Sequence, residues 1–173
     1  MLSEKMLEDL NLQLNRELYS GYLYLSMSAY FSSKGMPGFA NWMRVQAQEE
    51  LTHAMKFFDY ILKSGGSVKV LPIDAPPTDW ANPLEVFQET LRHEQKVTSH
   101  INNLMDLAIS QKDHATGNFL QWFISEQVEE EENARNILDR LSLAGEERGL
   151  LFILDQELGK RVFVAPTQEN KEV

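Results

Sequence analysis

Apolar positions recur at alternating steps of three and four over four long stretches of the chain, the period at which an α-helix keeps one face turned to a core. In the first stretch the stripe reads Leu7, Leu10, Leu14, Glu17, Gly21, Tyr24, Ser28, Phe31, and in the second Met43, Gln46, Glu50, His53, Phe57. The third reads Leu84, Phe87, Leu91, Glu94, Thr98, Ile101, Met105, and the fourth Leu120, Phe123, Gln127, Glu130, Ala134, Ile137, Leu141. Each stripe is apolar at both ends and polar in the middle. Gly and Pro interrupt the chain rarely, so their positions bound the elements. They predict helices over about 3–34, 37–64, 82–111 and 113–143, a short fifth helix over about 146–158, and a polar tail, 160–173, expected to be disordered. Asn82-Pro83-Leu84-Glu85 marks the third start: Asn82 caps, Pro83 fits the first turn, and Glu85 is placed to reach back as in a capping box.

The connections select a topology. The joints at Gly35-Met36-Pro37-Gly38 and near Gln111 to Asp113 are short, so each helix pair is an antiparallel hairpin. The joint from Gly65 to Asn82 is long, Pro-rich and not helical. Its roughly 17 residues could stretch over about 55 Å, whereas the second helix is about 42 Å long. The joint can therefore travel the length of the bundle and make the second and third helices parallel. The expectation is an all-α fold in a single domain, 1–173: a four-helix bundle with one long crossover and a short fifth helix.

The polar residues of the four stripes lie at one height. Measured from their helix starts, Glu17, Glu50, Glu94 and Gln127 fall at roughly 18–21 Å, and helical spacing sets His53 beside Glu50 and Glu130 beside Gln127. Several carboxylates turned into a dry core lose hydration and repel one another. Two divalent cations bridged by a shared carboxylate would resolve that cost. One Glu from each of two helices plus Glu-x-x-His on the others is the di-iron carboxylate pattern, and Glu50-Leu51-Thr52-His53 supplies one such pair. Taken singly, each element has a plainer reading. A lone Glu-x-x-His is common on helices, Tyr24 or Trp122–Phe123 suit an ordinary core, and Glu129 to Glu132 suit a solvated face. The conjunction at matched height on four helices is what points to metal.

Composition narrows the chemistry. The chain has 173 residues and no cysteine, which removes disulfides, thiolate zinc sites and iron–sulfur clusters. Metal ligands must then be Asp, Glu, His or water, which favours Fe, Mn or Mg. A formal net charge of -10 argues against nucleic acid as partner. No stretch is apolar for long enough to span a membrane, and the start, MLSEKMLEDL, lacks the layout of a signal peptide, so the expected location is the cytoplasm.

Three stretches, Asn15-Arg16-Glu17-Leu18-Tyr19, Ala47 to Lys56 and Trp122 to Glu130, closely resemble the non-haem ferritins of bacteria and archaea, and the resemblance covers nearly the whole chain. It implies a first iron site at Glu17, Glu50 and His53. A second would lie at Glu50, Glu94 and Glu130, with Glu50 bridging and Gln127 nearby. It also implies a third iron site at Glu49, Glu126 and Glu129, with Glu130 shared, and a tyrosine, Tyr24, beside the di-iron centre. The implied activity is oxidation of Fe(II) by dioxygen (or hydrogen peroxide), with storage of ferric oxo-hydroxide inside a cage of twenty-four copies. The fifth helix would pack around one class of symmetry axis. The departures matter too. Bacterioferritins keep a histidine where this chain has Glu130, and a haem-binding Met where it has Leu51, so no haem is expected. Rubrerythrins add a cysteine-rich iron domain. Competing readings are a di-iron peroxidase or oxygenase on the same bundle, a cage subunit that only nucleates mineral, and a plain helical interaction module.

Overall fold

The structure is a computed structural model and describes residues 2–145 and 147–164. The described residues form helices and connecting segments only: α1 (Glu4–Ser33), α2 (Pro37–Lys63), α3 (Pro83–Ser110), α4 (His114–Ala144) and α5 (Arg148–Leu158). The four long helices match the expected bounds to within a residue at each end. The fifth begins at Arg148, and the expected start at Glu146 lies outside the described residues. Of the tail expected to be disordered, residues 160–164 are described and Arg161 packs back on α2; residues 165–173 lie outside.

Helix ends follow local chemistry. Ser3 Oγ accepts from the Met6 N–H at 3.1 Å, Asn82 Oδ1 from Glu85 N–H at 2.9 Å, and Asp113 Oδ1 from Thr116 N–H at 3.1 Å, each satisfying a first-turn donor that the helix leaves open. Glu85 does reach back, but to the N–H of Ala81 rather than that of Asn82. The first two long helices end on a left-handed glycine, Gly35 at φ 72° and Gly65 at φ 75°. The next N–H of each bonds the carbonyl five residues back, Met36 to Phe31 and Gly66 to Ile61, which is the Schellman arrangement. The third uses Lys112 at φ 55° for the same turn.

The crossover is pinned along α1 by polar side chains. Asn11 Oδ1 accepts from Lys69 N–H at 2.6 Å and its Nδ2 donates to the Ser67 carbonyl. Further along, Asn15 donates to the Pro72 carbonyl and Ser26 to that of Pro77. Trp80 then enters the core beside Tyr30, ring centroids 5.3 Å apart. The segment thus runs from the start of α1 to its end. That order makes α3 antiparallel to α1 and parallel to α2, as the loop length predicted.

The core is split. One apolar cluster holds Met27, Phe31, Phe39, Met43, Trp80, Phe87, Leu141 and their neighbours. The other holds Met6, Leu10, Leu14, Phe57, Ile61, Ile101, Leu104, Leu120 and Phe123. Burial of a ring such as Phe57 or Phe87 stabilises by about 1.5–3 kcal/mol each, and two such clusters hold the helices on both sides of the polar middle. Helix α5 closes the first cluster with Leu154 and Leu158. It is fastened by Asp155, whose Oδ1 accepts from Gly38 N–H at 2.8 Å and Phe39 N–H at 3.0 Å. Those donors are otherwise open, because Met36 gives α2 no side-chain cap. No helix among the described residues is long and apolar enough to cross a membrane.

Candidate metal centre

Between the two apolar clusters lies a layer of buried polar side chains: Glu17, Gln46, Glu50, His53, Glu94, Gln127 and Glu130, none more than 4% exposed. Each occupies the centre of its helix's stripe, where the 3.6-residue period turns it inward. Gly21 sits one turn past Glu17, where a Cβ would lie 3.3 Å from the Ala47 carbonyl and 3.6 Å from Glu50 Cβ. The glycine lets α1 and α2 approach closely beside Glu50.

Ligand-type atoms of Glu17, Glu50 and His53 converge within 4.8 Å of one another, and so do those of His53, Glu126 and Glu130. Either group could hold a cation. His53 belongs to both: its Nδ1 lies 3.4 Å from Glu50 Oε2 and its Nε2 3.8 Å from Glu126 Oε1. Trp122 and Phe123 meet the imidazole edge-on, at 5.3 and 6.1 Å, and fix its plane. Glu94 faces this layer from α3. It accepts from the Tyr24 hydroxyl and from Gln127 Nε2, the latter at 3.1 Å. Glu49 and Glu126 are half-buried at the rim. Glu129 is exposed, and of the expected ligands Glu49, Glu94 and Glu129 stand outside both groups.

Electrostatics describe a site prepared for positive charge. Burial raises the Glu50 carboxyl well above its ordinary range, and the charges of Glu94 and Glu130 push it further. Burial and the Glu50 charge do the same to Glu17. Glu130 is pushed up to about 8, by burial first and then by Glu94, against a lowering hydrogen bond from Gln46. Burial raises Glu94 as well, while the hydrogen bonds from Tyr24 and Gln127 pull it back. Burial and the Glu94 charge hold Tyr24 well above the usual phenol range, so it stays a neutral donor. Burial and mutual repulsion thus favour the protonated forms of Glu17, Glu50 and Glu130 when no cation is present. A divalent ion would displace the protons and stand in for the lost hydration.

Two supporting side chains escaped the sequence reading. Gln13 Nε2 donates to Glu17 Oε1 at 2.6 Å, and Gln46 Nε2 donates to Glu130 Oε2 at 2.6 Å. Gln46 stood in the α2 stripe but carried no assigned role. Gln13 lies one residue off the α1 stripe and is nonetheless fully buried. A buried amide one helical turn from a buried carboxylate is the signal that could have flagged it.

Four long helices with one crossover, enclosing carboxylates and one imidazole at a single level, define the class of di-metal carboxylate bundles. A ferritin-like domain model matches residues 7–144. A bacterial non-heme ferritin of Bacteroides fragilis is 48% identical over 161 residues, covering 93% of this chain and all of that one. One from Escherichia coli O157:H7 is 44% identical over 158 residues, 91% of this chain and 96% of the relative. Among solved structures, an open-pore ferritin from Archaeoglobus fulgidus superposes with TM-score 0.92 at 52% identity, covering 93% of this chain and 98% of that chain. An engineered closed form of that ferritin gives TM-score 0.94 at 52% identity, covering 95% of this chain and 100% of that chain. The chain belongs to the ferritins, as a subunit of the non-haem, iron-storing kind.

Proposed function

We propose that this chain oxidises Fe(II) at the buried layer, with Glu17, Glu50 and His53 binding one iron and Glu50, Glu94 and Glu130 a second, Glu50 bridging. The observation that carries this reading is the convergence of Glu17, Glu50 and His53 within 4.8 Å, all buried, in a layer whose carboxyls burial and mutual repulsion push up. Iron is the substrate here. Oxygen ligands with one imidazole favour Fe(III) over Fe(II), and a site only partly filled by protein atoms leaves room for dioxygen, or hydrogen peroxide, as oxidant.

The protein's own groups then have distinct work. Gln13 and Gln46 hold Glu17 and Glu130 by single hydrogen bonds, so one oxygen of each stays free for metal. Glu94 is held at both oxygens, by the Tyr24 hydroxyl on Oε1 and by Gln127 Nε2 on Oε2, so it would meet metal through the remaining lone pairs. Tyr24 lies close enough to the centre to exchange a proton or an electron with it. Glu49, Glu126 and Glu129, with Glu130 shared, are proposed as a third, weaker iron site on the route from oxidation to storage. No haem is proposed: Leu51, where bacterioferritins have Met, offers no sulfur ligand.

Assembly into a hollow cage, of twenty-four copies, completes the proposal. Its support is an apolar groove of about 480 Å³ between α1 and α2, lined by Leu18, Tyr22, Leu25, Ala47, Leu51 and Ile73. Tyr22, Leu25 and Leu51 are each about half exposed in the single chain, a surface that a second copy would cover. Ferrous substrate implies a reducing compartment, for which the cytoplasm is proposed.

His53→Ala and Glu130→Ala test the site. Each should slow Fe(II) oxidation by at least about tenfold, while the far-ultraviolet dichroism of the helices is retained. Oxidation at the parent rate in both variants would overturn the assignment.

A further inference from the structure

Arg161 lies beyond α5, 112 residues from the helix-two glutamate it meets. Its Nη1 donates to Gln46 Oε1 at 2.7 Å, its Nη2 donates to Glu49 Oε2, and its guanidinium lies over the Trp42 ring, 4.5 Å from the centroid. Asn41 Nδ2 holds the Arg161 carbonyl at 2.9 Å, so backbone and side chain are both fastened to α2. Two consequences follow from donor and acceptor chemistry. Arginine only donates, so Gln46 must present its oxygen to Arg161 and its amide nitrogen to Glu130, where that nitrogen stands at 2.6 Å. The fork also places a permanent positive charge on Glu49, which burial otherwise pushes up and which Arg161 pulls down.

We infer that Arg161 is a built-in cationic occupant of the rim beside the di-iron layer: it satisfies Glu49 until a metal ion does, and any ion taking Glu49 must displace it. This deepens the reading of Glu49, Glu126, Glu129 and Glu130 as a third metal site and rests on that reading. Half-buried, the guanidinium–carboxylate contact is stronger than an exposed ion pair, so the guanidinium is a real competitor for a divalent ion. It accounts for a third site weaker than the other two from this chain's own residues. It also makes Arg161 a positioning residue for Glu130, acting through Gln46.

Zinc(II), which neither oxidises nor forms mineral, is the probe. Calorimetric titration of the metal-free assembled protein is compared with Arg161→Gln, Arg161→Lys and Glu49→Gln. Arg161→Gln should bind the third ion per chain about tenfold more tightly, with a smaller change for the first two. Arg161→Lys, which keeps the charge but not the fork, should fall between parent and Arg161→Gln. Glu49→Gln should lose the third ion. A third ion lost in Glu49→Gln but bound equally, or more weakly, in Arg161→Gln overturns the inference while leaving the third site standing. No third ion in any of the four proteins overturns both.

Discussion

Glu130 is pressed by three neighbours at once: Glu94 repels it, Gln46 holds one oxygen, and His53 lies in the same ligand group. With its carboxyl raised to about 8, it keeps a proton in the fold at a pH where the unfolded chain has released it. Glu17 and Glu50 are raised for the same leading cause, burial. At these three groups the folded metal-free protein binds more protons than the unfolded one, so their contribution to stability falls as pH rises. His93 and His100, which burial lowers to about 4, act the opposite way, but only below the ordinary histidine pKa of about 6.5. The carboxyl contribution is fully present below the ordinary glutamate pKa of about 4.3 and is lost as pH climbs through the folded values, for Glu130 about 8. Thermal unfolding of metal-stripped protein should accordingly show a midpoint that declines between about pH 7 and about pH 8.5, where the histidines are neutral in both states, with a shallower decline in Glu130→Gln. A midpoint that stays level or rises over that window in the parent would contradict the buried-carboxyl account. Metal should reverse the trend, since its binding releases those protons and favours high pH.

Helix α5 meets α2 at a point where only glycine fits. A Cβ on Gly38 would stand 1.6 Å from the Asp155 carbonyl oxygen, inside the backbone of the docked helix, while Asp155 serves as the missing cap of α2. Gly38→Ala should therefore push α5 off, although alanine is the better helix former in isolation. The expected cost is about 1–3 kcal/mol of stability, with faster tryptic cleavage at Lys160 and Arg161. Unchanged cleavage and an unchanged or raised midpoint would mean that α5 is not held this way.

That contact also marks where reading the sequence stops. The four long helices were legible because proline and most glycines fall at or near their ends, and the buried polar layer because carboxylates broke apolar stripes at one height. Those are local signals, carried within 30 residues. Asp155 on Gly38 and Arg161 on Glu49 span more than a hundred residues. An Asp inside a short helix and an Arg in a polar tail look like ordinary solvated charges until the chain is folded. The α3 stripe shows a milder loss: the buried series runs Phe87, Thr90, Glu94, Val97, Ile101, Leu104, Ala108, the same three-and-four repeat taken in the other phase, so Leu91, Thr98 and Met105 of the expected stripe are only partly buried.

For the whole molecule, the two apolar clusters and the polar layer divide the labour. Clusters on both sides keep the helices in register without help from the centre, so the layer is free to hold groups that oppose folding when metal is absent. Outside, Tyr22, Leu25 and Leu51 border the α1–α2 groove and leave an apolar surface that self-association would bury. Inside and outside thus make one claim, that oxidation at the centre feeds storage in an assembly. The direct test is to load metal-free protein with Fe(II) under anaerobic conditions, admit air, and follow ferric absorbance with size-exclusion chromatography alongside. The account predicts rapid oxidation at about two irons per chain, in a large particle that afterwards takes up many more. Two irons oxidised in a small oligomer with no further uptake would contradict storage, and absence of iron binding would contradict the metal centre itself.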